Sequence, residues 1–244
     1  MNFRTASLVT ALVASLVANL RSPAPQIGGD VREFLSHVRM VDMPDGYGGM
    51  VRTVRIEGLN VQIVNGLGRT EGVNASGNLI IGYAENPLNN PPMRVGSHNL
   101  IVGPGHNYGP AAYGGVIFGV ENTLLGPSGS VTGGHLNRAA CHYSSITGGS
   151  ENATAANGAV VSGGHGNTAI GGDTWVGGGE HNVAAGASSA IVGGANNRAD
   201  GPLSTVSGGT ANDATGSGSS VSGGFNRSAI SFDDWVAGSL FEDQ

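Results

Sequence analysis

The sequence counts in fifteens. Asn107, Asn122, Asn137, Asn152, Asn167, Asn182, Asn197 and Asn212 follow one another at 15-residue intervals, and six positions before each lies Ile101, Val116, Val131, Ile146, Val161, Val176, Ile191 or Val206. The apolar row continues to Val221 and Val236. A short fixed period means one small supersecondary unit stacked many times, because a unit of this size cannot bury a face alone and must use its neighbours.

One unit, Ser130 to Ser144, shows how the stack is built. Ser130-Val131-Thr132 alternates polar and apolar, which places Val on one face of a short strand and the hydroxyls on the other. Gly133-Gly134 ends the strand, and the pair recurs through Gly148-Gly149 to Gly223-Gly224. Glycine admits positive φ and close backbone approach, so every coil is expected to turn the same corner. Asn137 follows, where its amide can bond local backbone and where stacked copies can form a ladder. Ala139, Ala169, Ala184, Ala199 and Ala214 mark a second strand, with Gly171, Gly186, Gly201 and Gly216 at the return bend. The expected fold is all-β: a two-sided parallel β-roll of 15-residue coils. At about 4.8 Å of rise per coil, the run from Ile101 to Val236 would extend on the order of 45 Å.

Composition narrows the alternatives. Glycine makes up 44 of 244 residues without the every-third-residue spacing that collagen needs. Only 11% of residues are charged, too few for a charge-driven disordered chain, and the periodic Val/Ile row indicates order. All 11 basic residues are Arg, and residues 100 to 244 hold three of them against ten Asp/Glu. Such a surface repels phosphates, so no nucleic-acid partner is expected. The single Cys141 rules out an intrachain disulfide framework and reads as a small buried residue standing in for Ala or Gly.

Burying one Val is worth about 1.5 to 3 kcal/mol, whereas ordering each backbone costs about 1 kcal/mol or more. The core of one coil is therefore thin. Leu100-Ile101-Val102, Val116-Ile117-Phe118, Val160-Val161, Trp175-Val176 and Ala190-Ile191-Val192 are apolar on both faces, and such strands are usually covered on both sides. A homo-oligomer is the expectation.

The repeated Ser-x-Val-Ser/Thr-Gly-Gly-x-x-Asn-x-Ala-x-Gly units, clearest from Ser130 to Arg227, resemble the head repeats of trimeric autotransporter adhesins. The resemblance implies a left-handed roll, a homotrimer and an adhesive role outside the cell. The period here is one residue longer than the usual adhesin repeat. The repeats, with an upstream segment such as Gly58 to Gly66, also resemble a broader group of uncharacterised bacterial secreted proteins. Adhesin chains of the family continue into a membrane β-barrel, whereas Asp233 to Gln244 reads as a polar, aromatic cap over the last edge.

The amino-terminal third differs. Ala6, Val9, Val13, Leu16 and Leu20 follow a 3-4-3-4 spacing, which fits a short helix with a coiled-coil seam. The same stretch, with Arg4 before it, also fits a signal-like segment. It is too short to span a bilayer, so no stable membrane insertion is expected. From Val31 to Ile81 the chain reads as strands, notably Val51–Ile56 and Leu59–Ile63, separated by turns at Asp45-Gly46 and Gly66–Gly68. Ile80 with Asn86 matches the repeat spacing ahead of the Pro87–Met93 insertion. The expected organisation is residues 1–24 as helix and linker, 25–78 as an irregular β starting segment, 79–230 as β-roll and 231–244 as cap.

Candidate chemistry is sparse. His135 and His165 share one coil position two repeats apart, roughly 9.6 Å, too far for joint ligation. Gly163-Gly-His-Gly-Asn167 lacks the carboxylate a calcium-binding repeat needs, and Asp173 is an isolated case. Asp233 and Asp234 would point to opposite faces of a strand and so could not flank one glycosidic bond. No metal, cofactor or catalytic residue is assigned, and the named ladder of Asn107 to Asn212 with Val131, Ile146, Val161, Val176, Ile191, Val206 and Val221 is structural. The rows Ser130, Ser145, Ser220 and Thr132, Thr147, Ser162, Ser207, Ser222 offer a hydroxylated face toward sugars or ice, interrupted at Val160, Trp175 and Gly177. The sequence thus reads as a non-enzymatic extracellular or cell-surface β-roll, a trimeric head or filament subunit able to join end to end. A phage or injection-system tail fibre is the alternative, and an ice- or carbohydrate-binding solenoid a further one.

Overall fold

The computed structural model describes residues 29–87 and 91–238. The helix expected over residues 8 to 20 and the cap residues after 238 lie outside them. The chain divides into two compact units, Met1–Gln62 and Ile63–Gln244.

In the first unit a helix, α1 (Gly29–Ser36), precedes an antiparallel hairpin of β1 (Val38–Pro44) and β2 (Met50–Ile56). The helix corrects the expectation of strand from Val31 onward: Val31, Phe34 and Leu35 fall at i, i+3 and i+4, a helical spacing, and the Ser36 hydroxyl donates to Glu33 O at 2.6 Å. The hairpin turns at Asp45-Gly46. Asp45 Oδ1 accepts the backbone N–H groups of Tyr47 and Gly49, each at 2.8 Å, and these bonds hold its carboxyl below the usual range. Val51–Ile56 is strand as expected, but its partner lies upstream, and Leu59–Ile63 forms no strand. Glu57 N donates to His37 O and His37 Nδ1 meets Glu57 O, which closes the hairpin end, and Gly58 then leads the chain away at φ 73°.

The second unit is a parallel β-solenoid of about nine turns. An 11-stranded sheet runs from Leu79–Ile81 to Trp235–Val236, and a nine-stranded sheet from Asn107–Tyr108 to Ser228–Ala229. From Ser130 onward the strands shrink to residue pairs, and each lies parallel to its counterpart in the next coil: Ser130 beside Ser145, Ile146 beside Val161, Arg138 beside Ala153. The fully buried row Ile117, Val131, Ile146, Val161, Val176, Ile191 and Val206 faces a second buried row, Leu124, Ala139, Thr154, Ala169, Ala184, Ala199 and Ala214. From Val131 onward one larger and one small side chain per coil keep the two sheets close, whereas Ile117 meets Leu124. Single bridges along Val120, His135, Ser150, His165, Glu180, Ala195, Thr210 and Phe225 join the coils at the corner.

The first full coils break the count. Ile101 pairs with Ile117, and Ile117 in turn with Val131. One coil therefore carries an extra residue and the next lacks one, so the regular row resumes at Val131 while Ile117 takes the place the period assigns to Val116. Val116 itself stands on the outer face. Asn107 pairs with Thr123 and leaves the Asn ladder; its Oδ1 accepts Met93 N at 2.8 Å. Ile80 pairs with Ile101 across the longer Pro87–Met93 insertion, but Asn86 has no ladder role and instead accepts from Arg94 Nη1 at 3.4 Å. Residues 65 to 78 lie on this first turn through Asn65 N to His98 Nε2, Asn74 N to Ser97 Oγ and Asn99 N to Asn78 Oδ1. At the other end, Trp235–Val236 is the last strand of the large sheet, so the array passes residue 230.

Candidate functional site

Each corner is built from a Gly-Gly-x-x-Asn segment in which the two glycines have different work. A Cβ on Gly149 would lie 2.1 Å from Gly164 O and 2.7 Å from Asn152 Nδ2, and the residue holds φ 80°. Gly134, Gly164, Gly179, Gly194 and Gly209 repeat that crowding against the next coil. A Cβ on Gly148 or Gly193 would meet nothing within 4 Å. The second glycine is demanded by the stacking of backbones; the first stands at open surface.

The Asn residue uses its whole amide on backbone. Asn152 Nδ2 donates to Gly148 O of its own corner (3.1 Å) and Gly164 O of the next coil (3.0 Å), while Oδ1 accepts Asn167 N at 2.9 Å. The same set repeats at Asn137, Asn167, Asn182, Asn197 and Asn212. The ladder thus runs from side chain to backbone, and a direct contact between stacked amides occurs at Asn182 Nδ2 to Asn167 Oδ1, 3.1 Å. It opens on a residue that the regular count conceals. His106, 2% exposed, sits where the next coil has Asn122 and accepts Asn122 N through Nδ1 at 3.2 Å, with Nε2 against Val102 O at 3.0 Å. Nε2 therefore carries the proton. Burial first, and Arg94 to a lesser degree, push the imidazole below its ordinary value, against the pull of the bond to Val102 O.

Besides the second glycine of the corner, two positions per coil adopt left-handed backbone. Leu136, Glu151, His181, Asn196, Ala211 and Asn226 do so before or at the Asn corner, and Tyr143, Asp173, Ser188, Leu203 and Asp233 at the return bend. Their N–H groups point back to the preceding coil, as in Glu151 N to His135 O and Leu203 N to Ala187 O, while the strand N–H groups point forward. Each coil is consequently tied in both directions.

Three histidines, His135, His165 and His181, lie along the corner. His135 and His165 occupy the bridge row with Ser150 between them, and the Ser150 hydroxyl meets His165 Nδ1 at 2.9 Å. His165 and His181 make an edge contact at 5.2 Å, and His181 Nε2 lies 3.6 Å from Glu180 Oε1. Among the described residues no group of three or more His, Cys, Asp or Glu is disposed to hold a metal ion. Asp233 and Asp234 sit in the last return bend, not on a strand: Asp233 is left-handed at φ 54° and Asp234 Oδ2 accepts Ile230 N at 3.1 Å. Cys141 occupies the return-bend position of Gly126 and Gly171 as expected of a small residue, but it is partly exposed rather than buried, with its thiol toward Ala155 O.

Sequence reading missed a charged cluster on the outer face of the smaller sheet. Arg198 pairs in register with Asp213, and its Nε donates to Asp200. Burial, then the neighbouring Asp200, raise the Asp213 pKa against the opposing pull of Arg198. The bond to Asp200 raises that of Arg198.

The outer face of the large sheet carries the two expected hydroxyl rows. Ser130 Oγ meets Ser145 Oγ at 2.9 Å, and Thr132 Oγ1 donates to Thr147 O at 3.0 Å. Trp175 and Trp235 interrupt one row at matching places, with Nε1 donating to Ser162 Oγ at 3.0 Å and to Ser222 Oγ at 2.8 Å. Among the described residues no helix is long and apolar enough to cross a membrane. No protein-family model matches this chain, and no curated protein matches it.

Proposed function

We propose that the protein is a non-enzymatic structural and adhesive element of the cell surface or extracellular space, a left-handed β-roll whose copies assemble as a homotrimer and can continue end to end. The observation that carries this reading is the contrast between a thin interior and apolar side chains left outside. From Val131 onward each coil buries one Val or Ile against one small residue, while Trp175 and Val192 stay exposed on the outer face of those coils and Leu79, Ile81, Leu100, Val102, Val116 and Phe118 are at most partly covered on the same face of the first coils. A strand with apolar residues on both faces is ordinarily covered twice. A second copy of the chain supplies that cover at no cost in new sequence, since identical rungs present identical edges. The corner bonds, repeated coil after coil with the same donors and acceptors, suit a stiff scaffold.

Native mass spectrometry of the full chain tests the assembly. The expected species has three times the 24.3 kDa chain mass and resists protease. A folded species at the single-chain mass would sink the trimer. Fractionation of producing cells tests the location, and recovery in the soluble interior would refute it.

A further inference from the structure

The outer face of the large sheet is uncharged along its regular coils. Its outward positions from Ser130 to Ala237 are Ser, Thr, Val, Trp, Gly and Ala, whereas the smaller sheet carries Arg138, Arg198, Asp200 and Asp213 outside. On that neutral face stand Trp175 and Trp235, the only two tryptophans of the chain. They belong to one row, linked in register through Ala190, Thr205 and Ser220, and lie four coils apart, about 19 Å along the axis at 4.8 Å per coil. Both are seated alike. Each indole N–H is bonded to the outward serine of the preceding coil, which lays the ring across the adjacent row. For Trp175 the seat is Gly177, where a Cβ would come within 2.9 Å of Cζ2 and 3.0 Å of Cη2. Trp175 and Trp235 remain 39% and 66% exposed, and between them lie Ala190, the exposed Val192 and the hydroxyls of Thr205, Ser207 and Ser220.

We propose that this face binds an uncharged glycan, an extended β-linked hexose chain lying along the solenoid axis with its sugar rings stacked on Trp175 and Trp235. An aromatic ring with its N–H already satisfied offers a flat apolar surface of the kind that the CH faces of such sugars require, and the intervening hydroxyls can bond the sugar hydroxyls. A face without charge disfavours nucleic acid and acidic polymers alike, and favours a neutral ligand. The proposal rests on the adhesive part of the preceding reading and not on the trimer.

Because both indoles stand on this face, their emission reports on it alone. The full chain is titrated with cellohexaose and with chitohexaose, and sedimented with insoluble cellulose and chitin. The expected result is a saturable emission change with at least one probe, weakened about tenfold in Trp175→Ala and in Trp235→Ala, with sedimentation lost in the double variant. Ala190 already occupies the row, so these variants should fold, and an unchanged melting temperature checks that. No emission change with any probe, or binding that survives both substitutions, overturns the proposal. Emission shielded from acrylamide in the free protein, with dissociation of the oligomer in the variants, also overturns it and assigns the face to a second copy instead. A single-chain species that binds the sugar would sustain this proposal while removing the trimer.

Discussion

At the scale of residues, the two glycines of each corner make the sharpest contrast. Gly149 holds φ 80° and has the next coil's carbonyl where a Cβ would stand, so Gly149→Ala must push two coils apart and strain its own backbone. The combined cost is about 2–4 kcal/mol. Gly148→Ala meets open space at an ordinary φ, so it should be neutral or stabilise by up to about 1 kcal/mol through the unfolded chain. Urea midpoints of the two variants measure the difference, and equal losses would show that the second glycine is not sterically required. The paired pattern is plain in the sequence, but its division of labour is not, because the backbone that excludes a Cβ belongs to the next coil. Left-handed backbone at Leu136, Tyr143 and Leu203 is illegible for a related reason: glycine at Gly158, Gly166 and Gly218 marks the same positions, yet a residue type that changes from coil to coil gives no signal.

At the scale of elements, the Asn ladder is a single hydrogen-bonded rail with an ionisable first member. Asn122 through Asn212 can be read directly from the period, since equal spacing in sequence becomes stacking in space wherever coil length is constant. Asn107 cannot be placed that way. The long coil after Ile101 and the short one after Ile117 cancel by Val131, so the count runs through a break without a trace, and His106 takes the rail position. Protonating Nδ1 would set N–H against Asn122 N–H. Because burial holds the folded imidazole below its ordinary value, the unfolded chain binds the proton more readily. Stability is therefore full above about pH 6.5 and falls as pH drops through the folded pKa. His106→Asn, whose Oδ1 can accept Asn122 N, should flatten the difference in urea midpoint between pH 7 and pH 5. His165→Asn, at the exposed corner, should leave it in place. His106→Ala strands a buried donor and should cost about 1–3 kcal/mol at pH 7. An unchanged pH slope in His106→Asn would deny His106 this role.

At the scale of the whole molecule, stability should be a sum over coils and their contacts, as in a one-dimensional stack. The strand registers supply the geometry: in the large sheet every pairing from Ser130 onward joins residues one repeat apart, and the bonds that cross between coils repeat with the same donors and acceptors. Removing residues 145–159 as a block would set the Val131 coil directly on the Val161 coil, with Asn137 Oδ1 facing Asn167 N as it now faces Asn152 N. All inner residues keep their face. Removing residues 145–158 leaves one extra residue in the joined coil, and in a strand a one-residue slip turns inner side chains outward. The first deletion should preserve the parallel-β circular dichroism spectrum and a single cooperative melt; it also removes Thr154, whose buried Oγ1 has no partner. The second should lose cooperativity, with amide exchange accelerated in the coils on either side of the cut. Equal behaviour of the two deletions would mean that coil length does not govern the stack, and a collapse of both would mean that the coils depend on contacts beyond their immediate neighbours.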